Sequence, residues 1–527
     1  MADTNPVRLF IKQNYGIIIL FCAGVAVRLY NLGAKSFWFD ESLVLLEAKQ
    51  SIPVLLGSRA EGIHPPLYRF IMHFWMMLGN GEAFLRLPSV FFSAAGIPVC
   101  FAIARRMFDK SVAAYAVAAL MAFSPFQVFY AQEIKMYSLF LLLSLLSAYF
   151  FLSMMSRNRK SDSVGYVCST ALALYTHYFA VWVIIVENIV FLLCRRSVIP
   201  EIRKRWWIAQ FAILLLFIPW IPAFLIHSAR VGYSFWAPPV MGSDVLAGFG
   251  NFVMGYFTAN MKPEISAVLF LVFFLAGALM MVRKIKETGI KTSQGQALLL
   301  CCAMVMVPAV CVWIFSIIIK PLYLERSLIF ATGFYYCLLV AGGMVLKKYR
   351  VFLIMAVISF SGYLMAGLYN SYRGIHFYPA AGVVEKKPVK QVLAYILAHY
   401  KVDEPIILAH CSLVYPVKYY APAFVQRNIY LVDNVSDSPG DRSTLHGMEK
   451  TFGILPRDIR KISLTSGGLW VICSAWDRAI IPVSRSAREW LDTQELIFKK
   501  TDFPGVEIFY YMIPAKNFMI DSGREKE

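Results

Sequence analysis

Charge is scarce in this chain: Asp, Glu, Lys and Arg make up 16% of its 527 residues, against 59% hydrophobic residues. That balance excludes a soluble globular domain and indicates a polytopic membrane protein. Acidic residues are the scarcer kind, 32 against 51 Lys and Arg, which leaves a formal net charge of +19. The surplus does not read as nucleic-acid binding, because Lys and Arg fall in short clusters between apolar runs and form no patch on a soluble face. Cysteine outside the apolar runs is limited to Cys411 and Cys473. The other eight cysteines pack as small hydrophobes, so a disulfide framework is excluded and only that one pair is left open. No internal repeat and no low-complexity tract interrupts the chain.

Apolar runs long enough to span a membrane lie at 15–33, 85–104, 111–130, 138–155, 164–176, 178–194, 208–226, 264–282, 297–319, 328–346 and 351–369, about eleven spans in all. The first follows Arg8 and Lys12 without a small-residue cleavage site and reads as a retained signal anchor. Pro65–Leu78 is apolar but short and carries Arg69 and His73. Laid along the surface as an interfacial helix, it puts all five basic loops, from Arg105/Arg106/Lys110 to Lys347/Lys348/Arg350, on the inner side. The expected topology therefore has a cytoplasmic N-terminus and a long first outer loop, 34–84. Residues 1–370 form the membrane domain. Beyond it, 371–527 alternates helix-like Val389–Tyr400 and Ser484–Leu491 with strand-like Pro405–His410, Asn428–Val432, Gly468–Ser474 and Val506–Met512. That pattern indicates a small outer α/β domain, with a helix over Arg442–Phe452 inside an irregular loop. Nothing in it has metal-ligand or nucleophile spacing.

The outer loops hold the unusual polar residues. Ser36-Phe37-Trp38-Phe39-Asp40-Glu41-Ser42 sets two carboxylates among three aromatic rings, and a helical piece runs from Ser42 to Gln50. The carboxylates Asp40, Glu41 and Glu133, the cations Arg86, Lys135 and Arg326, and the aromatics Tyr68, Tyr137 and Tyr323 all collect on one side. Arg86 and Arg326 at span ends either snorkel to the interface or hold a lipid phosphate bidentately. Sugar transfer from a polyprenyl phosphate suits this set, since cations stabilise the leaving phosphate and one carboxylate takes the acceptor proton in an inverting attack. Asp40 is the candidate base; a free Asp has a pKa of roughly 3.9, which partial burial beside Trp38 and Phe39 would raise. Glu41 and Glu133 either orient it, bind sugar hydroxyls or join it in holding Mg²⁺ or Mn²⁺, so a metal site stays open. Glu187, the one acid at mid-bilayer depth, is a functional candidate or a helix-packing hydrogen bonder.

Phe39-Asp40-Glu41, His64-Pro65-Pro66-Leu67-Tyr68, Arg86-Leu87-Pro88-Ser89 and Tyr130-Ala131-Gln132-Glu133-Ile134-Lys135-Met136-Tyr137-Ser138, in that order, resemble the bacterial GT-C glycosyltransferases. Within them the similarity is to the family of protein O-mannosyltransferases, lipid A aminoarabinose transferases and lipopolysaccharide-core galacturonosyltransferases. It covers roughly residues 10–200 and continues weakly through Tyr323-Leu324-Glu325-Arg326-Ser327. The resemblance implies a multi-pass enzyme of the bacterial inner membrane, with its site and C-terminal domain periplasmic. It would move a hexosyl or pentosyl group from a polyprenyl-phosphate sugar to a glycolipid, glycan or protein hydroxyl, in cell-envelope or lipopolysaccharide biosynthesis. It implies Asp40 and Glu41 as the catalytic pair, Glu133 as the second acidic position and Arg86 as the donor-phosphate arginine. His64, Tyr68, Arg86, Lys135, Tyr137 and Arg326 are the candidates for substrate binding. Relatives often carry Arg at the Lys135 position and Tyr at the Ser327 position, so this chain departs there. The other readings are a lipid-linked sugar flippase, which favours deep charges and related halves, and a non-catalytic part of a polysaccharide export complex.

Overall fold

The computed structural model describes residues 6–57, 64–157, 159–234, 239–256, 263–373, 386–401, 404–408, 411–422, 429–432, 456–457, 468–474, 497–504 and 506–512. The expected apolar runs are helical. α1 (Pro6–Leu29) leads into a loop that carries α2 (Phe39–Ala48), α3 (Ile52–Leu55) and α4 (Leu67–Trp75). Then follow α5 (Glu82–Met107), α6 (Ser111–Phe123), α7 (Pro125–Ala131), α8 (Tyr137–Arg157), α9 (Lys160–Leu174) and α10 (Ala180–Cys194). The bundle is completed by α11 (Pro200–Phe217), α12 (Ile221–Ser234), α13 (Gly242–Met254), α14 (Pro263–Thr288), α15 (Ser293–Ile318), α16 (Thr332–Leu346) and α17 (Arg350–Arg373). Among the described residues seven helices are long and apolar enough to cross a membrane, or eight if bent α6–α7 is one span. The shortfall from eleven comes from α1, whose described apolar part is Asn14–Leu29, and from α9 and α10 with 15 residues each. A helix of that length rises only about 22 Å.

α6 and α7 meet at a 49° bend. Pro125 has no N–H to give the Met121 carbonyl, so the helical ladder breaks there. Buried Arg28 of α1 fills the gap: it donates to Met121 O at 2.9 Å, to Ala122 O at 2.7 Å and to Ser93 Oγ at 2.9 Å. The bend aims α7 at the loop 132–136, and Gln132 ties that loop back to Arg28 O and Tyr30 O. On the far side of the bundle, α14 and α16 approach backbone to backbone, where a Cβ on Gly342 would lie 2.0 Å from Phe273 O. Small residues permit such contact between membrane helices. Glu187 accepts hydrogen bonds from Ser147 and Tyr166, so its deep carboxyl joins α10 to α8 and α9.

The polar C-terminal part is a small helix-and-sheet unit. α18 (Val389–His399) and α19 (Val414–Tyr420) accompany β1 (Ile406–Leu408), β2 (Ile429–Val432), β3 (Pro456–Arg457), β4 (Gly468–Ser474), β5 (Ile497–Phe503) and β6 (Val506–Met512). The sheet runs β3-β2-β1-β4-β6-β5, parallel through β3, β2, β1 and β4 and antiparallel from there. The four expected strands are present as β1, β2, β4 and β6; β3, β5, which carries Lys499 and Lys500, and α19, which contains Pro416, lie beyond the sequence expectation. The expected helix Arg442–Phe452 and the piece Ser484–Leu491 lie outside the described residues, as does the side chain of Cys411 and with it the Cys411–Cys473 pairing. α19 packs on the loop between α1 and α5: Phe37 N–H donates to Tyr420 OH at 2.8 Å, and the Phe39 and Tyr415 rings are 4.8 Å apart.

Candidate functional site

The residues around Asp40 are placed by the start of α2. Trp38 is extended just before it, so Asp40 and Glu41 fall in the first turn, where free backbone N–H groups favour negative charge. Successive helical residues diverge by roughly 100°. The two neighbours therefore point to different surroundings.

Glu41 turns inward and is fully buried. Arg86 grips it side-on, Nε to Oε1 at 2.8 Å and Nη2 to Oε2 at 2.9 Å. The remaining Arg86 donors go to Leu32 O at 2.8 Å, Lys35 O at 3.0 Å and Ser36 O at 3.4 Å. All five guanidinium N–H groups are thereby used, and the Phe37 ring covers the plane at 5.1 Å. The expectation that Arg86 presents its fork to a donor phosphate is not what this geometry provides. A second cation, Lys386, lies between Glu41 at 2.9 Å and Glu133 at 2.7 Å. Glu133 also accepts from Trp38 Nε1 at 2.7 Å. Burial acts to raise the Glu41 pKa, but the Arg86 and Lys386 charges outweigh it and hold the carboxyl at about 2. In Glu133 burial wins over Lys386 and the pKa is raised. Lys35 lies alongside, and burial together with the neighbouring Lys386 charge lowers its pKa to about 8.

Asp40 turns the other way, and its side chain is 20% exposed. Its Oδ2 lies 3.4 Å from Lys135 Nζ and 3.7 Å from Arg326 Nη1. Arg326 comes from a 3₁₀ turn, Glu325–Ala331, pinned by Asn251, which donates to Glu325 Oε1 at 3.0 Å and Oε2 at 3.1 Å. Beyond Arg326 opens a cavity of about 420 Å³. Its polar rim includes His64, Tyr137 and His177, and its walls are apolar, with Phe179, Phe224 and Phe315 among them. The His64 and His177 rings are 5.3 Å apart, and His177 stacks on Phe140. Burial and then the Arg326 charge lower the His177 pKa to about 3, and burial with His177 and Lys135 lowers that of His64 well below its usual value. Both rings are neutral at physiological pH.

The six expected substrate-binding residues separate by position. His64, Tyr137 and Arg326 line the cavity, and Lys135 reaches Asp40, which Arg326 also approaches. Tyr68 and Arg86 stand behind: the Tyr68 hydroxyl pairs with Ser89 Oγ at 2.7 Å, and Ser89 reaches the Lys135 carbonyl at 3.5 Å. The carboxylates do not converge as a Mg²⁺ or Mn²⁺ site demands, because each faces Lys or Arg where a metal would sit. Among the described residues no three His, Cys, Asp or Glu groups are arranged to hold an ion. Lys386 is the residue the sequence concealed, since Lys386-Lys387 after the last span reads as an ordinary juxtamembrane basic pair. Asn251, inside a helix with no distinguishing motif, was equally hidden.

The sequence model of the dolichyl-phosphate-mannose-protein mannosyltransferase family matches residues 63–222, which include His64, Tyr68, Arg86, Glu133, Lys135 and Tyr137. No curated protein sequence matches the chain. Solved structures do. The fold is similar to that of ArnT from Cupriavidus metallidurans bound to undecaprenyl phosphate, at a TM-score of 0.59 and 12% identity over 95% of this chain and 99% of that one. The apo form of the same protein superposes at 0.58, again at 12% identity, over 95% and 98% of the two chains. An Archaeoglobus fulgidus oligosaccharyltransferase tethered with an acceptor peptide containing the NVT sequon is similar at 0.53 and 10% identity, over 97% of this chain and 75% of that one. A helical membrane domain with its polar cluster at one end, a small C-terminal sheet unit and these superpositions establish that the chain has the GT-C fold of the membrane glycosyltransferases.

Proposed function

We propose that the protein transfers a sugar from a polyprenyl-phosphate donor to a hydroxyl acceptor, with inversion, at the end of the bundle where Asp40 lies. The observation that carries this reading is the division of labour between neighbours: Glu41 is consumed by Arg86 and Lys386, while Asp40 keeps solvent access beside Lys135 and Arg326, the second of which also lines an apolar cavity. The cavity takes the first isoprenoid units. Lys135 and Arg326 take the phosphate, which draws them from Asp40 and leaves its carboxylate to accept the acceptor proton. The bond from the anomeric carbon to the phosphate oxygen breaks as the acceptor oxygen attacks from the opposite face. Arg86, Glu41, Glu133 and Lys386 are positioning residues in this scheme. The cluster holds four of these cations against three carboxylates, a surplus that suits an anionic donor. By the distribution of basic loops the site faces the periplasm of a bacterial inner membrane, and the acceptor is a glycolipid, glycan or protein.

Native mass spectrometry of gently extracted protein tests the donor site. Wild type is expected to carry a polyprenyl phosphate, with or without sugar, and Arg326→Ala to lose it. Equal retention of that lipid in both proteins sinks the assignment, as does its absence when it is supplied to wild type in excess.

A further inference from the structure

At the opposite end of the bundle, α1, α5 and α8 leave a groove of about 680 Å³. One side is apolar: Ile17, Ile18 and Phe21 of α1 face Pro98 and Phe101 of α5. The mouth is cationic, with Arg105 and Arg106 from the last turn of α5 and Arg157 from the last turn of α8. Two of the guanidiniums are already oriented. Arg105 donates to Ser111 Oγ at 2.6 Å, while Arg106 donates to Ser153 Oγ and lies 4.8 Å over the Tyr149 ring. Arginine at helix C-termini complements the helix dipole, but that role requires no apolar slot beside it.

We propose that this groove is a binding site for one anionic phospholipid of the leaflet at that end. Its phosphate sits among the three guanidiniums and an acyl chain lies in the slot between α1 and α5. Charge complementarity selects the headgroup, because planar guanidiniums at headgroup depth bind phosphate oxygens in forked pairs. The Ile and Phe walls select a lipid over a soluble phosphate, since they gain only from a hydrocarbon chain. The proposal is independent of the donor site, which lies at the other end of the helices.

The test is native mass spectrometry of the full chain in detergent with phosphatidylglycerol and phosphatidylethanolamine of matched chains added together. Wild type is expected to retain the anionic lipid over the zwitterionic one by about fivefold. Arg105→Gln/Arg157→Gln should bring the ratio to parity, and Ala102→Trp, which fills the slot and leaves the arginines, should do the same. If the double variant does not fold by gel filtration, Ala102→Trp decides alone. Equal retention of both lipids by wild type overturns the proposal, and so does a preference for phosphatidylglycerol that persists in the folded variants.

Discussion

Arg86 and Glu41 form a two-pronged pair, 2.8 and 2.9 Å, in which neither side chain is more than 1% exposed. Breaking a buried pair by removing one partner strands the other charge, which costs about 3–5 kcal/mol. Arg86→Ala should therefore lower the melting temperature in detergent and reduce yield. Arg86→Lys should rescue little, because an ammonium cannot reproduce five oriented donors. Scanning fluorimetry checks this; an Arg86→Ala protein as heat-stable as wild type would show that Lys386 alone suffices to hold Glu41.

Asp40→Asn should abolish transfer while leaving the fold and the donor in place. The loss expected for a general base is about 10²–10⁴-fold. Product formation, measured beside lipid retention in the same preparation, separates this outcome from a binding defect. Transfer at the wild-type rate would remove Asp40 from the mechanism.

Lys386→Met should destabilise the protein by leaving Glu41 and Glu133 to face each other. Glu133→Gln in the same chain should recover much of the loss, since Arg86 still holds Glu41 and the carboxylate left without its cation is then gone. A double-mutant cycle on thermal midpoints reads the coupling, expected at about 1–3 kcal/mol. Additive effects would mean that Lys386 and Glu133 do not interact.

Acid should weaken the structure through the cavity histidines. The His177 pKa falls from its usual 6.5 to about 3 in the folded protein, so between those values the unfolded chain binds a proton that the folded one does not. The stabilisation is complete above pH 6.5 and is lost as pH falls toward 3, at up to about 1.4 kcal/mol per pH unit. His177→Asn should flatten the dependence of the melting temperature on pH in that window. An unchanged slope would mean that the ring is already charged.

Much of this arrangement is legible in the sequence because it is written in period and composition. Apolar runs mark the helices, and the order of Asp40-Glu41, His64-Pro65-Pro66 and Glu133 to Tyr137 marks one end of the bundle. What is not legible is which neighbour does what. Asp40 and Glu41 are adjacent acids in a string of letters, and only the turn of α2 sends one into a buried ion-pair network and the other to a partly exposed place beside Lys135 and Arg326. Arg86 and Arg326 likewise read as equivalent arginines at span ends, yet Glu41 and carbonyls 50 to 54 residues away together exhaust the first. Lys386 carries no motif, because its partners are brought to it by tertiary packing alone.

Lys386 reaches Glu41 across 345 residues of chain, and Tyr420 reaches Phe37 across 383. During synthesis the membrane helices emerge before the lysine that lies between Glu41 and Glu133 is made. A chain halted before Lys386 would lack the cation that lies between Glu41 and Glu133. The last cation of the buried cluster is thus supplied by a part of the chain made after every membrane helix.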